Sequence, residues 1–203
     1  MKVQFKHENG FTKDGRVFCE VFFEHNEESF DELLNSGWNP SMEEEKIWYQ
    51  SRSSRINIKT HEVSNQRKNF LKKIDKKVYN YTGQKQIDDF FYSFYDFKKY
   101  EIKQLYDNCS KFFEIKILEI SYDGEIVGYA RFIENEESNL FLNLAYLDGY
   151  YKLSLGTNLF HLLVDITKSQ NKKYLYIYET YQDIYSYKQN FSGVEIWDGR
   201  NWI

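Results

Sequence analysis

The sequence is poor in the residues that mark several classes of protein. It has one proline and two cysteines, Cys19 and Cys109, which lie far apart among its 203 residues. A disulfide framework, a zinc motif with paired cysteines and a collagen-like chain are therefore excluded. The four histidines are scattered along the chain, which also argues against a zinc site. We predict that the protein holds no metal.

Long apolar segments are missing as well. No apolar run approaches the ~20 residues of a membrane-spanning helix. Residues 1–7 lack the apolar core of a signal peptide. Together with the low cysteine content, these absences predict a reduced cytoplasmic protein that has no membrane partner.

Aromatic residues and an uneven charge distribution are the features that stand out. Tyr and Phe number 18 and 17, so aromatic rings must form much of the core and of any cleft wall. Residues 46–85 contain eleven basic side chains but only two acids, Glu62 and Asp75, a balance of +9. Since the whole chain carries −4, the remainder carries −13. This asymmetry indicates a polyanionic partner on one face.

Hydrophobic patterns predict an α/β protein. Strands are expected at residues 16–23, 46–58 (one or two), 111–121, 125–133, 140–146 and 173–179, with a final hairpin at 194–203. Helices are expected at residues 29–36, 64–77, 86–109 and 154–169, and a short helix or turn at 185–188. Asp123 and Gly124 form a two-residue hairpin signal. We predict an N-terminal extension, residues 1–45, packed on one domain, residues 46–203.

Residues 143–166 have the pattern of a buried strand, a short loop and an amphipathic helix. The predicted helix start is formed by Ser154, Leu155, Gly156 and Thr157. Free N–H groups and the positive end of the helix dipole make such a start a binding place for phosphate or another anion. A hairpin followed by a β-α-β unit is the order expected of a GNAT-like acyltransferase fold, an α/β fold in which a mixed sheet has helices on both faces.

Several segments, taken in order, resemble the aminoacyl-tRNA–protein transferases, which are the arginyl- and leucyl-transferases of the N-degron pathway. The segments are residues 55–58, 64–68, 122–128, Tyr146, 151–157, 173–176, Tyr187 with Lys188, and 198–200. Residues 64–68 are similar to that family's Ser-x-Ser-Gln-Arg-Arg/Lys basic helix. The resemblance extends over residues 35–203.

This resemblance implies a GNAT-like fold that takes an amino acid from the 3′ end of a charged tRNA and gives it to a free amine. The reaction is aminolysis of an ester, which uses no metal, no other cofactor and no covalent intermediate. It requires a deprotonated amine, alignment of amine and ester, and stabilisation of the developing oxyanion. The expected partners are charged tRNA and the amine of a protein, peptide or small metabolite.

The resemblance and the residue patterns together give candidate site residues. The candidates for binding the donor are Ser154, Leu155, Gly156, Thr157, Arg52, Arg55, Arg67, Lys68, Lys72 and Lys73, the last six through the tRNA backbone. The candidates for the reaction are Tyr146, Glu179, Tyr187 and Lys188. Tyr146 is expected to hydrogen-bond the ester or amine, and Glu179 to act as general base or to pair with the acceptor's ammonium. Tyr187 and Lys188 are expected to anchor the acceptor carboxylate or the loop. Each residue also has an ordinary structural interpretation, as a cap, a solvated face, core packing or a surface carboxylate.

The sequence departs from the family in three places. The cysteine-rich N-terminal region is absent, and Leu147 and Asp148 stand where members often carry Asp-Pro. Residues 178–184 replace the stretch that lines the acceptor side in the family. The fold and the type of donor therefore transfer better than the acceptor specificity.

Two alternatives remain open at this point. The first is a GNAT N-acyltransferase that uses acyl-coenzyme A, although residues 151–157 lack the second glycine and the basic first residue of its loop. The second is a non-catalytic module that binds RNA or protein on a degenerate transferase fold.

Overall fold

The structure, a computed structural model, describes residues 4–5, 10–11, 17–22, 29–41, 48–50, 53–98, 113–179 and 183–203. These residues form two β-sheets, one of five strands and one of seven. Within them, no helix is both long and apolar enough to span a membrane.

The smaller sheet contains β1 to β5. Their bounds are Gln4–Phe5, Gly10–Phe11, Val17–Phe22, Trp38–Pro40 and Trp48–Gln50. The strand order is β1-β3-β5-β4, and β2 also pairs with β3. Helix α1, Phe30–Asn35, begins at a capping box in which Ser29 and Glu32 satisfy each other's backbone N–H groups. This sheet runs across the expected boundary at residue 45, because β5 pairs with β3 and β4.

The larger sheet contains β6 to β12. Their bounds are Ser53–Asn57, Asp75–Asn80, Ile115–Tyr122, Glu125–Glu134, Ser138–Tyr146, Tyr174–Glu179 and Val194–Ile196. The order is β12-β6-β11-β10-β9-β8-β7, in which β10 and β11 are parallel and the other pairs antiparallel. The hairpin between β8 and β9 turns at Asp123 and Gly124, as predicted, and both have positive φ, 53° and 83°.

Helices cover both faces of the larger sheet. Their bounds are Asn65–Leu71 for α2, Lys85–Lys98 for α3 and Leu155–Ser169 for α4, with 3₁₀ segments at Asp148–Leu153 and Asp183–Asn190. On one face, Leu71 of α2 and Leu159 and Leu163 of α4 are buried in the same core cluster as Leu118. On the other, α1 and α3 bury Leu34 and Phe91. The predicted α/β class, a mixed sheet with helices on both faces, is confirmed.

The basic segment folds differently from the sequence-based expectation. Ser64 caps α2 as predicted, but the helix ends at Leu71 rather than near residue 77. Residues 75–80 form β7 instead, because their backbone pairs with β8. Val78, expected on the apolar stripe of the helix, is therefore on an edge strand and 43% exposed. The helix expected at 86–109 is present as α3 up to Lys98, and residues 99–109 lie outside the described part of the chain.

Candidate functional site

A gap opens between β10 and β11 in the middle of the larger sheet. The two strands pair from Ser138 and Tyr174 as far as Leu140 and Tyr176. Beyond this point β10 continues to Tyr146 and β11 to Glu179, but the pairing stops. Tyr178 has a left-handed φ of 55°, and the pairing of β11 with β6 is irregular at the same place. The strands thus separate toward their carboxyl ends, the edge at which α/β sheets commonly bind ligands.

Helix α4 begins beside this gap. Ser154, the residue before it, has a φ of 49°, and its hydroxyl makes no capping hydrogen bond. Leu155 is 1% exposed, so its side chain belongs to the core and any contact with a donor has to be made by the backbone. A Cβ on Gly156 would lie 3.3 Å from Cε1 of Tyr146. The structure therefore brings the helix start and the end of β10 together.

Tyr146 is held between the two faces of the sheet. It is half-buried and packs against both core clusters that meet at the end of β10. Its ring lies 4.9 Å from that of Phe94 on α3. The ring position is thus fixed by packing, next to Gly156.

Arg67 connects α2 to the start of α4. Its Nη1 donates to Oδ1 of Asn158 over 2.6 Å, in the first turn of α4. We call the cations of α2, the following turn and the same face of β7 the basic surface; they are Arg67, Lys68, Lys72, Lys73 and Lys76. Its lysines are all exposed. Four of the predicted tRNA-contacting residues thus lie on one surface that reaches the helix start. Asn158 is not among the residues predicted from the sequence; its signal there is a polar side chain within an apolar helix.

Arg55 corrects the predicted tRNA-contacting set. It is 7% exposed, its Nε donates to Glu195 over 2.6 Å, and its guanidinium stacks 3.7 Å from the ring of Tyr174 and 4.2 Å from that of Trp202. A guanidinium enclosed in this way cannot reach a phosphate backbone, so we assign Arg55 to the core. Arg52 lies outside the described residues.

Lys188 points into the gap between β10 and β11. It is 5% exposed, and its Nζ donates to the carbonyl of Ile177 over 2.9 Å. The rings of Phe141 and Phe160 lie 5.5 and 5.7 Å from the ammonium. The bond to the carbonyl of Ile177 and the two aromatic rings offset part of the free energy that burying this charge costs. An acceptor carboxylate has to enter the gap to reach this group.

Tyr187 and Glu179 complete the predicted set. The ring of Tyr187 is 38% exposed and lies 6.2 Å from that of Phe160. The backbone of Glu179 pairs with Ser53 at the end of β11, while its side chain lies outside the described part of the structure. Its role as a general base therefore stays a prediction.

Two of the scattered histidines meet beside α4. His161 Nδ1 lies 3.4 Å from His61 Nε2, and His61 Nδ1 lies 2.6 Å from the carbonyl of Ser192, to which it must donate. Burial, then His61 and Arg67, lower the pKa of His161 to about 4. His161 is therefore neutral at physiological pH. Among the described residues, no three His, Cys, Asp or Glu side chains group together as metal ligands would.

Comparisons with known proteins give likenesses in structure only. No protein-family model matches the sequence, and no curated protein matches it significantly. Among solved structures, L-PGS from Bacillus licheniformis matches with a TM-score of 0.48 and 13% identity, over 71% of this chain and 47% of that one.

Two further structures give similar scores. The C-terminal domain of a putative lysylphosphatidylglycerol synthetase from Agrobacterium fabrum has a TM-score of 0.49 and 10% identity, over 81% of this chain and 58% of that one. A GCN5-related glucosamine N-acetyltransferase region of a fungal multi-domain β-N-acetylglucosaminidase has 0.46 and 9%, over 72% and 19%. The chain spans less than two thirds of each protein, and scores this low carry no argument about its activity.

Proposed function

We propose that this protein is an aminoacyl-tRNA-dependent transferase, which moves an amino acid from a charged tRNA to a free amine of a protein, peptide or small metabolite. The observation that carries the proposal is the hydrogen bond between Arg67 and Asn158. It joins the basic surface to the start of α4, so that one positive region runs from exposed lysines to the mouth of the gap.

The basic surface suits a large polyanion better than a small one. Lys68, Lys72 and Lys73 are exposed, and the edge strand β7 adds Lys76. A tRNA backbone neutralises many such charges at once and releases its counterions, which strengthens binding at low salt. The positive N-terminal end of α4 lies beyond the lysines, beside the gap, and attracts the phosphate nearest the 3′ end of the tRNA.

The gap supplies the place for the chemistry. The acceptor's amine attacks the carbonyl carbon of the aminoacyl ester, the bond from that carbon to the ribose oxygen breaks, and the proton lost by the amine ends on the ribose hydroxyl. Tyr146, fixed beside Gly156, donates a hydrogen bond to the ester carbonyl. The buried ammonium of Lys188 stabilises negative charge in the gap, where the low dielectric strengthens its effect. Glu179 takes the proton from the amine, a step that contributes about 10²–10⁴-fold.

Transfer from radiolabelled aminoacyl-tRNA pools tests the proposal. The purified protein is incubated with the charged tRNA and with peptide or small-molecule amines, with and without RNase pretreatment. We expect label to appear on an amine in an RNase-sensitive manner. Turnover of acetyl-coenzyme A without any tRNA binding at low salt would instead establish the acyl-coenzyme A alternative.

Two variants check the assigned roles. Lys188→Met keeps the length and packing of the side chain but removes its charge, so we expect the transfer rate to fall while the fold remains. Glu179→Gln removes the proposed base, so we expect slow transfer at neutral pH. Full activity in either variant removes that residue from the mechanism.

A further inference from the structure

Three aromatic side chains form a cluster between the basic surface and α4. We call Phe70 of α2, Tyr122 at the end of β8 and Tyr150 in the 3₁₀ segment before α4 the aromatic platform. The rings of Phe70 and Tyr122 are stacked with centroids 6.1 Å apart at 27°, and those of Tyr122 and Tyr150 lie 6.3 Å apart at 73°. All three are half-buried at the margin of the core, so each keeps part of its ring at the surface.

The platform is held in place by contacts from both ends. The Tyr150 hydroxyl donates to Oε2 of Glu125 over 2.5 Å, which fixes the ring of a residue in a short 3₁₀ segment. At the other end, the backbone N–H of Lys73 donates to the carbonyl of Phe70, so the cations of the turn follow the platform directly. The rings are thus held in position before any ligand arrives, and little entropy is lost when a flat group stacks on them.

Charges of opposite sign border the two ends of the platform. Lys72 and Lys73 lie next to Phe70, whereas Asp123 and Glu125, both exposed, lie next to Tyr122 and Tyr150. Phosphates are attracted to the lysine end and repelled from the acidic end, so bases can lie over Tyr122 and Tyr150 while the phosphates pass at a distance from Asp123 and Glu125. A ligand lying along the platform therefore needs a neutral, flat part over the rings and an anionic part over the lysines, which describes unpaired nucleotides.

We propose that the aromatic platform stacks the unpaired bases at the 3′ end of the donor tRNA, an inference that rests on the proposed function. Single-stranded nucleic acids are bound by aromatic rings beside a basic groove, because every base has a flat face and the phosphates need cations. The platform lies on the way from Lys72 and Lys73 to Ser154, since Tyr150 belongs to the segment that leads into α4. The bases would thus guide the aminoacyl end toward the gap.

The test compares an RNA hairpin that has a short unpaired 3′ overhang with the same hairpin with a blunt end. Affinities for both are measured with the full chain and with Phe70→Leu, Tyr122→Leu and Tyr150→Leu, which keep apolar volume but remove the ring. We expect each variant to weaken binding of the overhang RNA about 5- to 100-fold, with little change for the blunt RNA and an unchanged salt slope. Tyr150→Phe, which keeps the ring and loses only the bond to Glu125, is the control; it should weaken binding of the overhang RNA much less than Tyr150→Leu does, because the ring remains.

A fluorescent base analogue in the overhang gives a second measurement. Stacking on tyrosine should change its emission when the parent protein binds, and Tyr150→Leu should abolish that change. Equal losses for both RNAs, or no loss for either, overturn the platform and leave the proposed function intact. If the parent protein binds neither RNA at low salt, the proposed function and the platform both fail.

Discussion

Positively charged side chains have different surroundings on the two faces of the larger sheet. On the face covered by α1 and α3, Arg55 and Arg131 are 7% and 2% exposed, and each donates to a carboxylate, Glu195 and Asp88. On the face covered by α2 and α4, the lysines of the basic surface are exposed, and Arg67 reaches inward only as far as an amide on α4. Cations on the first face hold the fold together, while those on the second remain available to a ligand.

This difference depends on partners rather than on residue type. Arg55 and Arg67 are close in the sequence and carry the same side chain. Arg55 meets an acid and two aromatic rings brought to it by the C-terminal strand and β11, whereas Arg67 donates to an amide, that of Asn158. A positively charged side chain can contribute to RNA binding only where the fold does not surround it with acids and aromatic rings. Substitutions on either face can test this difference.

The largest effect is expected from Arg55→Met. This change leaves Glu195 partly buried without its cation and removes the stacking on Tyr174 and Trp202. Breaking a buried pair costs about 3–5 kcal/mol, so the free energy of unfolding should fall by about that amount in urea titrations. Affinity for RNA, measured on protein that is still folded, should not change.

The double variant Arg55→Met, Glu195→Met is the control for this loss. Since no uncompensated charge remains, it should recover much of the stability. If Arg55→Met instead weakens RNA binding with stability intact, Arg55 belongs to the binding surface and the contrast between the faces disappears.

Acidification should act on the face that carries α2 and α4. The pKa of His161 is lowered to about 4 in the folded protein, so the unfolded chain, with a pKa of about 6.5, takes up the proton first as pH falls. The stability contributed by neutral His161 is complete above pH ~6.5 and is lost as pH approaches about 4, on the order of 3 kcal/mol in all.

Unfolding titrations between these pH values measure this loss. His161→Phe should flatten the dependence of stability on pH in this window, because it removes the titrating group while keeping a ring against Phe191. An unchanged slope in the variant shows that other groups account for the acid sensitivity.

These two faces also show which features of the fold could be predicted from the sequence. The turn at Asp123 and Gly124 and the cap at Ser64 depend on neighbouring residues, so they could be predicted. The end of α2 could not, because β7 forms by pairing with β8, about 40 residues away in register at Val78 and Leu118.

The candidate site follows the same division. The exposure of Lys68, Lys72 and Lys73 could be predicted, since a run of cations rarely becomes buried. The burial of Arg55 depends on Glu195 and Trp202 at the other end of the chain, and no local sequence pattern predicts that contact. Asn158 likewise gains its importance only when α2 packs beside α4.

Charge reversal on the basic surface should affect binding without affecting the fold. Lys72→Glu together with Lys73→Glu should weaken tRNA binding about 10- to 100-fold at low salt and reduce the slope of log affinity against log salt by about 1.5–2. Both side chains are exposed, so the free energy of unfolding should stay within about 0.5 kcal/mol of the parent value.

Lys168→Glu is the matched control. Lys168 is exposed in the last turn of α4, so its reversal changes the net charge, by half as much as the double variant does, away from the basic surface. It should leave both affinity and salt slope nearly unchanged. If it weakens binding as much as the double variant does, only the overall charge matters and the basic surface is an ordinary solvated face.

The smallest effect is expected from Gly156→Ala. This variant tests whether tRNA bound on the basic surface extends to the start of α4. The added methyl group would lie 3.3 Å from Cε1 of Tyr146, so the ring has to move by a few tenths of an ångström. Alanine is favoured over glycine in a helix by up to about 1 kcal/mol, which offsets the crowding, so stability should hardly change. The KM for charged tRNA should rise about fivefold, because the methyl group stands between the donor and the backbone N–H groups of α4.

Gly149→Ala provides the comparison, since no atom of the described residues lies within 4 Å of a Cβ at that position. It alters the same approach to α4 without crowding Tyr146, and its KM should match that of the parent. If the two alanine variants behave alike, the tRNA end does not approach the start of α4. The open face would then bind RNA through its lysines alone, and the reacting ester would have to lie nearer to Lys188 than to Tyr146.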